Sequence, residues 1–136
     1  MSIIDWMDEQ YLLGIVNMDN THKEFVSLVN QLAAAADTDF ATLFDELITH
    51  TQAHFLQEEK LMMASNFPAY AEHNDEHARI LGELNQFKKR VDKGLIAFGR
   101  NYIKERMPDW FALHAATMDS ALAMDLKNTG FDVATG

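Results

Sequence analysis

Six histidines punctuate the chain at intervals that can do chemistry. His54 is followed four residues later by Glu58, His73 four later by His77, and His114 five later by Asp119, while His22 stands alone further upstream. Residues four apart lie on one face of an α-helix, so the His54 and Glu58 side chains, and those of His73 and His77, can each meet at a common point. With His22, His114 and Asp119 they make seven nitrogen and oxygen donors, five of them imidazoles and two carboxylates. That mixture suits iron better than magnesium or calcium, which favour all-oxygen shells, and it is too many donors for one zinc ion. Two six-coordinate ions side by side present twelve positions. Five imidazoles, two carboxylates bridging through both oxygens and one bridging oxygen fill all but one, and a vacant position on a redox metal takes a small ligand such as dioxygen. Two ferrous ions against two carboxylates and a bridging hydroxide leave a small net positive charge, which a buried site with neutral imidazoles tolerates.

One spacing resists this picture. Residues five apart sit roughly 140° apart on an ideal α-helix, so His114 and Asp119 share a face only if the helix is locally widened or Asp119 reaches sideways. A π-helical bulge, common at functional sites, provides the first.

The elements that carry these residues are helical by periodicity. Phe25, Leu28, Val29, Leu32 and Ala36 recur at three- and four-residue spacing, predicting a helix from Asp19, with Asp19 and Asn20 available as N-caps, to about Ala36. After Asp37-Thr38-Asp39 a second stripe, including Phe40, Phe44, Leu47, Phe55 and Leu61, continues to about Ala64, and Ser65-Asn66-Phe67-Pro68 reads as a turn. A third helix spans about Ala69 to Asp92, ending at Gly94, with Lys88, Lys89, Arg90 and Lys93 forming a solvated C-terminal end. A fourth spans about Phe98 to Lys127, where Pro108, lacking the N–H that bonds one turn back, predicts either a kink, the favoured reading, or a helix that begins near Met107. Residues 1–17 read as an extended arm packed on the rest, since Trp6, Tyr11, Leu12, Leu13 and Ile15 are too apolar for a loose tail. The expectation is an all-α, up-down-up-down four-helix bundle with an N-terminal extended arm. It forms one domain over 1–136, with the bundle at about 18–127 and a short C-terminal tail.

Composition narrows the function. The chain has 136 residues, 48% of them hydrophobic, enough for a sizeable core. With 21 acidic and 11 basic side chains its net charge is -10, the wrong sign for general nucleic-acid or anionic-membrane binding. The absence of Cys excludes disulfides, thiolate nucleophiles and iron–sulfur clusters. No segment approaches the ~20 apolar residues that span a bilayer. The first residues lack the basic and apolar regions of a secretory signal, so the expected location is cytoplasmic, without membrane insertion.

The pattern resembles the hemerythrin family, and its single-domain bacterial members in particular. The family signature is a His on helix one, H-x-x-x-E on helix two, H-x-x-x-H on helix three and H-x-x-x-x-D on helix four. All seven positions are matched by His22, His54 with Glu58, His73 with His77, and His114 with Asp119. Trp6, Gly14-Ile15, Met18-Asp19, Glu58 to Met62, Pro68 to Tyr70 and Trp110-Phe111 also look like the family, so the resemblance runs from Trp6 to about Lys127.

The resemblance implies two non-haem iron ions with an oxo or hydroxo bridge, binding O2 reversibly as a carrier, store or local supplier. His73, His77 and His114 would saturate one iron, His22 and His54 would hold the other with its open position, and Glu58 and Asp119 would bridge both. Phe25, Phe55, Trp110, Phe111 and Ala115 are the candidates for an apolar O2 pocket. Ala115 stands where the family often has a larger aliphatic residue, so a roomier pocket and faster autoxidation are expected.

The competing readings are a sensor of O2, redox state or nitric oxide acting through a signalling partner, and a di-iron oxidase or peroxidase. Sensor domains are commonly fused to signalling modules, for which this chain has no room. The ferritin-like enzymes use E-x-x-H motifs, and none occurs here. The expectation is therefore a binder rather than an enzyme, monomeric, with dioxygen as its ligand and an O2-consuming or signalling protein as the alternative partner. His50, one turn before His54, has no place in the signature and is expected at the surface or behind the ligands.

Overall fold

The protein was described from a computed structural model covering residues 3–131, and among these residues all regular structure is helical. After a one-turn helix, α1 (Asp8–Tyr11), come three long helices, α2 (Val16–Ala34), α3 (Asp37–Ala64) and α4 (Tyr70–Asp92). The last rod is one continuous helical backbone made of α5 (Ile96–Asn101), a π-helical turn (Tyr102–Arg106), α6 (Met107–His114), a second π-helical turn (Ala115–Asp119) and α7 (Ser120–Thr129). Connections of a few residues force successive rods to run antiparallel. Each packs on the next, and α2 meets the last rod to close the bundle. The expected all-α bundle is the observed one.

Each rod stops for a local reason. Asn66, with φ 55°, turns the chain out of α3 while the Phe67 N–H returns to the Met62 carbonyl at 2.9 Å. Gly94, with φ 86°, does the same for α4, where the Leu95 N–H bonds the Arg90 carbonyl at 2.9 Å. Both are Schellman closures, which use a left-handed residue to satisfy the last carbonyls.

The arm differs from its expected form. It carries one helical turn, and α2 starts at Val16, so Asp19 lies inside the first turn and is not its N-cap. The Asp19 carboxylate instead accepts the N–H groups of Leu13 (2.8 Å) and Gly14 (3.1 Å), folding the arm back onto α2. Gly14 has φ 84°, a conformation that strains any residue with a Cβ, and a side chain there would also push aside the Lys127 ammonium, 2.7 Å from the Cβ position. Further out, Asn30 accepts the Ile3 and Ile4 N–H groups, each at 3.0 Å, and donates to the Ile4 carbonyl at 2.9 Å. α3 also begins earlier than its apolar stripe, at Asp37, because acidic residues suit a helix N-terminus. The end of the C-terminal tail, residues 132–136, and the first two residues of the arm lie outside the described residues.

Pro108 does not interrupt the last rod as a simple kink. It sits in the first turn of α6, directly after the Tyr102–Arg106 π-helical turn, and the backbone stays helical through Arg106 (φ -96°, ψ -46°) and Met107 (φ -64°, ψ -43°). Proline clashes with the carbonyl one α-turn earlier and offers it no donor. A preceding turn with i→i+5 bonding absorbs that mismatch.

The core is split in two. A large cluster includes Phe25, Val29, Phe44, Leu47, Phe55, Ile80, Leu84, Phe111 and Ala115. A smaller one holds Ile15, Met18, Leu61, Met62, Phe67, Leu122, Ala123 and Leu126. The charge-bearing residues lie between them.

Candidate metal centre

Every rod passes from one apolar cluster to the other, and each places its candidate ligands at the crossing. On α2, His22 falls between Met18 and Phe25; on α3, Glu58 falls between Phe55 and Leu61; on α4, His73 and His77 fall between Phe67 and Ile80; on the last rod, Asp119 falls between Ala115 and Leu122. His54 and His114 lie within the span of the larger cluster, next to its buried members Phe55 and Ala115, and packing of the flanking apolar residues drives all seven polar groups inward. All of them are buried, His22 completely. Apolar burial is the force that can hold so much polarity out of water, and it does so at a cost unless the polar atoms find partners.

The side chains converge in two groups that share their carboxylates. His73, His77 and His114 point Nε2 at the first group: His73 and His77 lie 3.2 and 3.3 Å from Glu58 Oε1, and His73 and His114 lie 3.1 and 3.0 Å from Asp119 Oδ1. His22 and His54 point Nε2 at the second: His54 is 2.6 Å from Glu58 Oε2, and His22 is 3.0 Å from Asp119 Oδ2 and 3.7 Å from Glu58 Oε2. Each carboxylate thus gives one oxygen to each group. The π-helical turn at Ala115–Asp119 permits this, because its i→i+5 pattern brings Asp119 onto the face of His114, resolving the five-residue spacing.

The donor set fits a metal centre. The Nδ1 atoms of His22, His54, His73, His77 and His114 are buried without a hydrogen-bond partner among the described residues, as are the Nε2 atoms of His22, His73, His77 and His114 and the Glu58 Oε1 and Asp119 Oδ1 oxygens. Buried polar groups are nearly always paired, so this many orphans in one place mark a site built for something else to bind. The ligand atoms of Glu58, His73, His77, His114 and Asp119 lie mutually within 4.8 Å, as do those of His22, His54 and Glu58.

Protonation in the metal-free protein follows the same geometry. Burial alone lowers the His22 pKa, but the Asp119 and Glu58 carboxylates close to its Nε2 outweigh it and raise it to about 10. His73 rises to about 9 against the same burial, again through Asp119 and Glu58. At His77 burial wins over Glu58, and the pKa falls. Burial raises the Glu58 and Asp119 carboxyls, and for Asp119 the charge of Glu58 does so too, yet the histidines around them hold both well below the usual carboxylate range.

Residues 13–126 match the family model described as the hemerythrin HHE cation binding domain. The chain belongs to the hemerythrin family. It is 34% identical over 132 residues to a bacteriohemerythrin of Ralstonia nicotianae, covering 97% of this chain and 95% of that protein. It is 32% identical over 122 residues to a bacteriohemerythrin of Aquifex aeolicus, covering 84% and 91%. In fold it is similar to a crystal structure of a leucine-to-alanine mutant of a hemerythrin, with a TM-score of 0.82 at 22% identity, covering 93% of this chain and 98% of that one.

In this hemerythrin chain the four aromatic candidates for the pocket divide between the two halves of the centre. Phe111 stands edge-on to His22 with centroids 5.6 Å apart, and Phe25 stacks on Phe111 at 5.3 Å, so both cover the two-histidine half. Phe55 lies parallel to His77 at 3.7 Å, although His54 is also near at 5.4 Å, and Trp110 lies on His114 at 4.7 Å, so these two face the three-histidine half. Ala115 is buried in the same apolar cluster. His50 stays outside the centre, 3.2 Å from Glu24 and 6.3 Å by ring centroid from His54.

Sequence reasoning missed several neighbours. Asn17, Met18, Thr21, Gln57 and Leu61 line a small cavity against His54 and Glu58, between α2 and α3. Met18, four residues before His22, and Leu61, three after Glu58, carried a helical-spacing signal, and Asn17, Thr21 and Gln57 carried none relative to those two residues. Glu76, which accepts the Trp110 indole N–H, was hidden among exposed acidic residues of α4.

Proposed function

We propose that this hemerythrin binds O2 reversibly at a non-haem di-iron centre, and that the whole chain serves as one such domain. His73, His77 and His114 would hold one iron, His22 and His54 the other, and Glu58 and Asp119 would serve both. The observation that carries the reading is the division of each carboxylate between the two histidine groups. A carboxylate binding a single ion has no reason to offer its second oxygen to a separate set of imidazoles.

Counting donors supports an open position on the two-histidine side. The three-histidine group offers three imidazoles and two carboxylate oxygens, and the two-histidine group two of each, so the second would leave more room for an incoming ligand on a metal held there. When bound, the iron pair supplies the two electrons that reversible O2 binding requires. The protein's part is to hold the ligands, keep the imidazoles neutral when loaded, and exclude water. Phe25 and Phe111 do the last on the His22 side, and the buried Ala115 belongs to the same apolar wall. A histidine-rich, carboxylate-poor donor set with one open position favours binding over turnover. Among the described residues no helix is long and apolar enough to cross a membrane.

The test is to count metal per chain and record the visible spectrum after anaerobic reduction, after exposure to air and after removal of O2. Two irons per chain with a colour that appears with O2 and leaves with it support the reading. Irreversible oxidation shifts the function towards redox sensing or enzymatic chemistry, and a chain that takes up no iron overturns it.

A further inference from the structure

His114 faces Asp119 with Nε2, at 3.0 Å, but nothing polar orients the ring from its other side. Its Nδ1 is buried without a hydrogen bond, whereas a metal-ligating imidazole is ordinarily aimed by a hydrogen bond at its second nitrogen. The His73 and His77 rings meet the His114 ring edge-on or tilted, with centroids 5.1 and 5.2 Å away, whereas the Trp110 indole lies on its face with centroids 4.7 Å apart and planes 16° apart. Trp110 is itself tied down: its Nε1–H donates to Glu76 Oε1 at 2.9 Å. Glu76 is held in turn by Arg79, whose Nε donates to Oε2 at 3.1 Å and whose Nη2 donates to Oε1. Arg79 Nη1 reaches Glu83 at 2.8 Å, and Glu83 also accepts the Tyr102 hydroxyl (3.1 Å) and Arg106 Nε (3.2 Å).

The bond between Glu76 and Trp110 joins the two rods that supply the whole three-histidine group. Glu76 sits on α4 between His73 and His77, and Trp110 sits on α6 one turn before His114. The second rod needs such a tie more than the others do, because α6 is flanked by π-helical turns on both sides. In such a rod a change of one residue in the widened turn rotates everything beyond it. The facing aromatic on the same half, Phe55 against His77, has no donor and relies on packing alone.

We propose that Glu76 is a positioning residue for the metal centre: by holding the Trp110 indole through Nε1 it sets the rotation of the His114 ring and the aim of its Nε2. This rests on the reading of His114 as a ligand.

The experiment compares Glu76→Leu, which removes the acceptor, Glu76→Gln, which keeps an oxygen for the indole, and Trp110→Phe, which keeps the ring and loses the N–H. Co2+ titration followed by the visible ligand-field bands reads the two metal positions, and 15N spectra of the metal-free protein read the His114 ring directly. Urea denaturation verifies that each variant is folded. Glu76→Leu and Trp110→Phe should each weaken one of the two Co2+ ions by about 10-fold or more, shift the bands of that ion alone and split or broaden the His114 signals. Combining the two should cost no more than either, because both break one bond, and Glu76→Gln should stay close to the parent. Parental affinity, bands and His114 signals in both variants overturn the proposal, and so does a Glu76→Gln loss as large as that of Glu76→Leu. If the parent binds no Co2+ and no iron, the di-iron reading fails, and the metal-free His114 signals still decide whether Glu76 positions the ring.

Discussion

Phe55 lies flat on His77, with ring centroids 3.7 Å apart and planes within 1° of parallel. Both side chains are buried, and neither His77 nitrogen has a hydrogen-bond partner among the described residues. The phenyl ring is therefore what fixes the imidazole plane before metal arrives. Phe55→Leu should destabilise the metal-free protein by about 1–2 kcal/mol, from lost aromatic contact and imperfect refilling of the core. It should also weaken metal binding at the three-histidine half. Urea denaturation of metal-free protein and a metal titration check the two effects separately, and an unchanged unfolding midpoint would count against the packing role.

The raised pKa values of His22 and His73 give the metal-free protein a definite pH dependence. A group whose folded pKa exceeds its unfolded value of 6.5 stabilises the fold fully below that value and loses the contribution as pH climbs through the folded pKa. For His73 this loss runs from 6.5 to about 9, and for His22 from 6.5 to about 10. Stability of metal-free protein should therefore fall between about pH 6.5 and 10. Metal must displace these protons, so uptake at pH 7 should release protons and tighten as pH rises towards 9. Titration calorimetry in buffers of different ionisation enthalpy measures the release. In the acid direction, the depressed carboxyls of Glu58 and Asp119 contribute stability above the ordinary carboxylate range and lose it as pH falls.

Asp119→Asn should separate bridging from simple ligation. The amide presents one oxygen, so it can serve one histidine group but not both, and it cancels the charge that raises the His22 and His73 pKa values. Metal content should drop from two ions per chain to one, measured by elemental analysis after exhaustive dialysis. Retention of two ions would remove Asp119 from the bridge.

Ala115 is 1% exposed and lies in the π-helical turn between His114 and Asp119. Ala115→Leu should fill space in the apolar wall and slow autoxidation, at a stability cost of about 1–3 kcal/mol for overpacking. Decay of the O2-bound spectrum in air measures the first effect and thermal unfolding the second. Autoxidation as fast as in the parent removes pocket volume at Ala115 as the cause.

Gly99 tests the frame rather than the site. A Cβ there would stand 2.6 Å from Val91 Cγ2 and 2.8 Å from Phe40 Cε1, because α5 lies against α3 and the end of α4 at this point. Gly99→Ala should destabilise the protein by about 1–3 kcal/mol while leaving metal content at two ions per chain, since the contact is at the far end of the large apolar cluster. Thermal unfolding and elemental analysis provide the two readings.

Much of this molecule is written in its local sequence. The rods are legible because apolar residues recur with the helical period, and the His54–Glu58 and His73–His77 pairs are legible because residues four apart share a face on any α-helix. The five-residue spacing of His114 and Asp119 left a widened turn or a sideways reach open, and the structure shows the widened turn at Ala115–Asp119. Boundaries were less legible. Val16 and Asp37 enter helices without a marked cap, and Asp19, a natural N-cap by type, is used instead to hold the Leu13 and Gly14 amides.

What the tertiary structure alone decided concerns the rotation of one rod against another. Which oxygen of Glu58 meets His54 and which meets His73, which aromatic covers which half of the centre, and the reach of Glu76 across to Trp110 all depend on how α2, α3, α4 and the last rod turn their faces as they pack. Periodicity states that a residue lies on the inner face of its own helix. It is silent on what stands opposite, because that is set by the interlocking of side chains far apart in the chain.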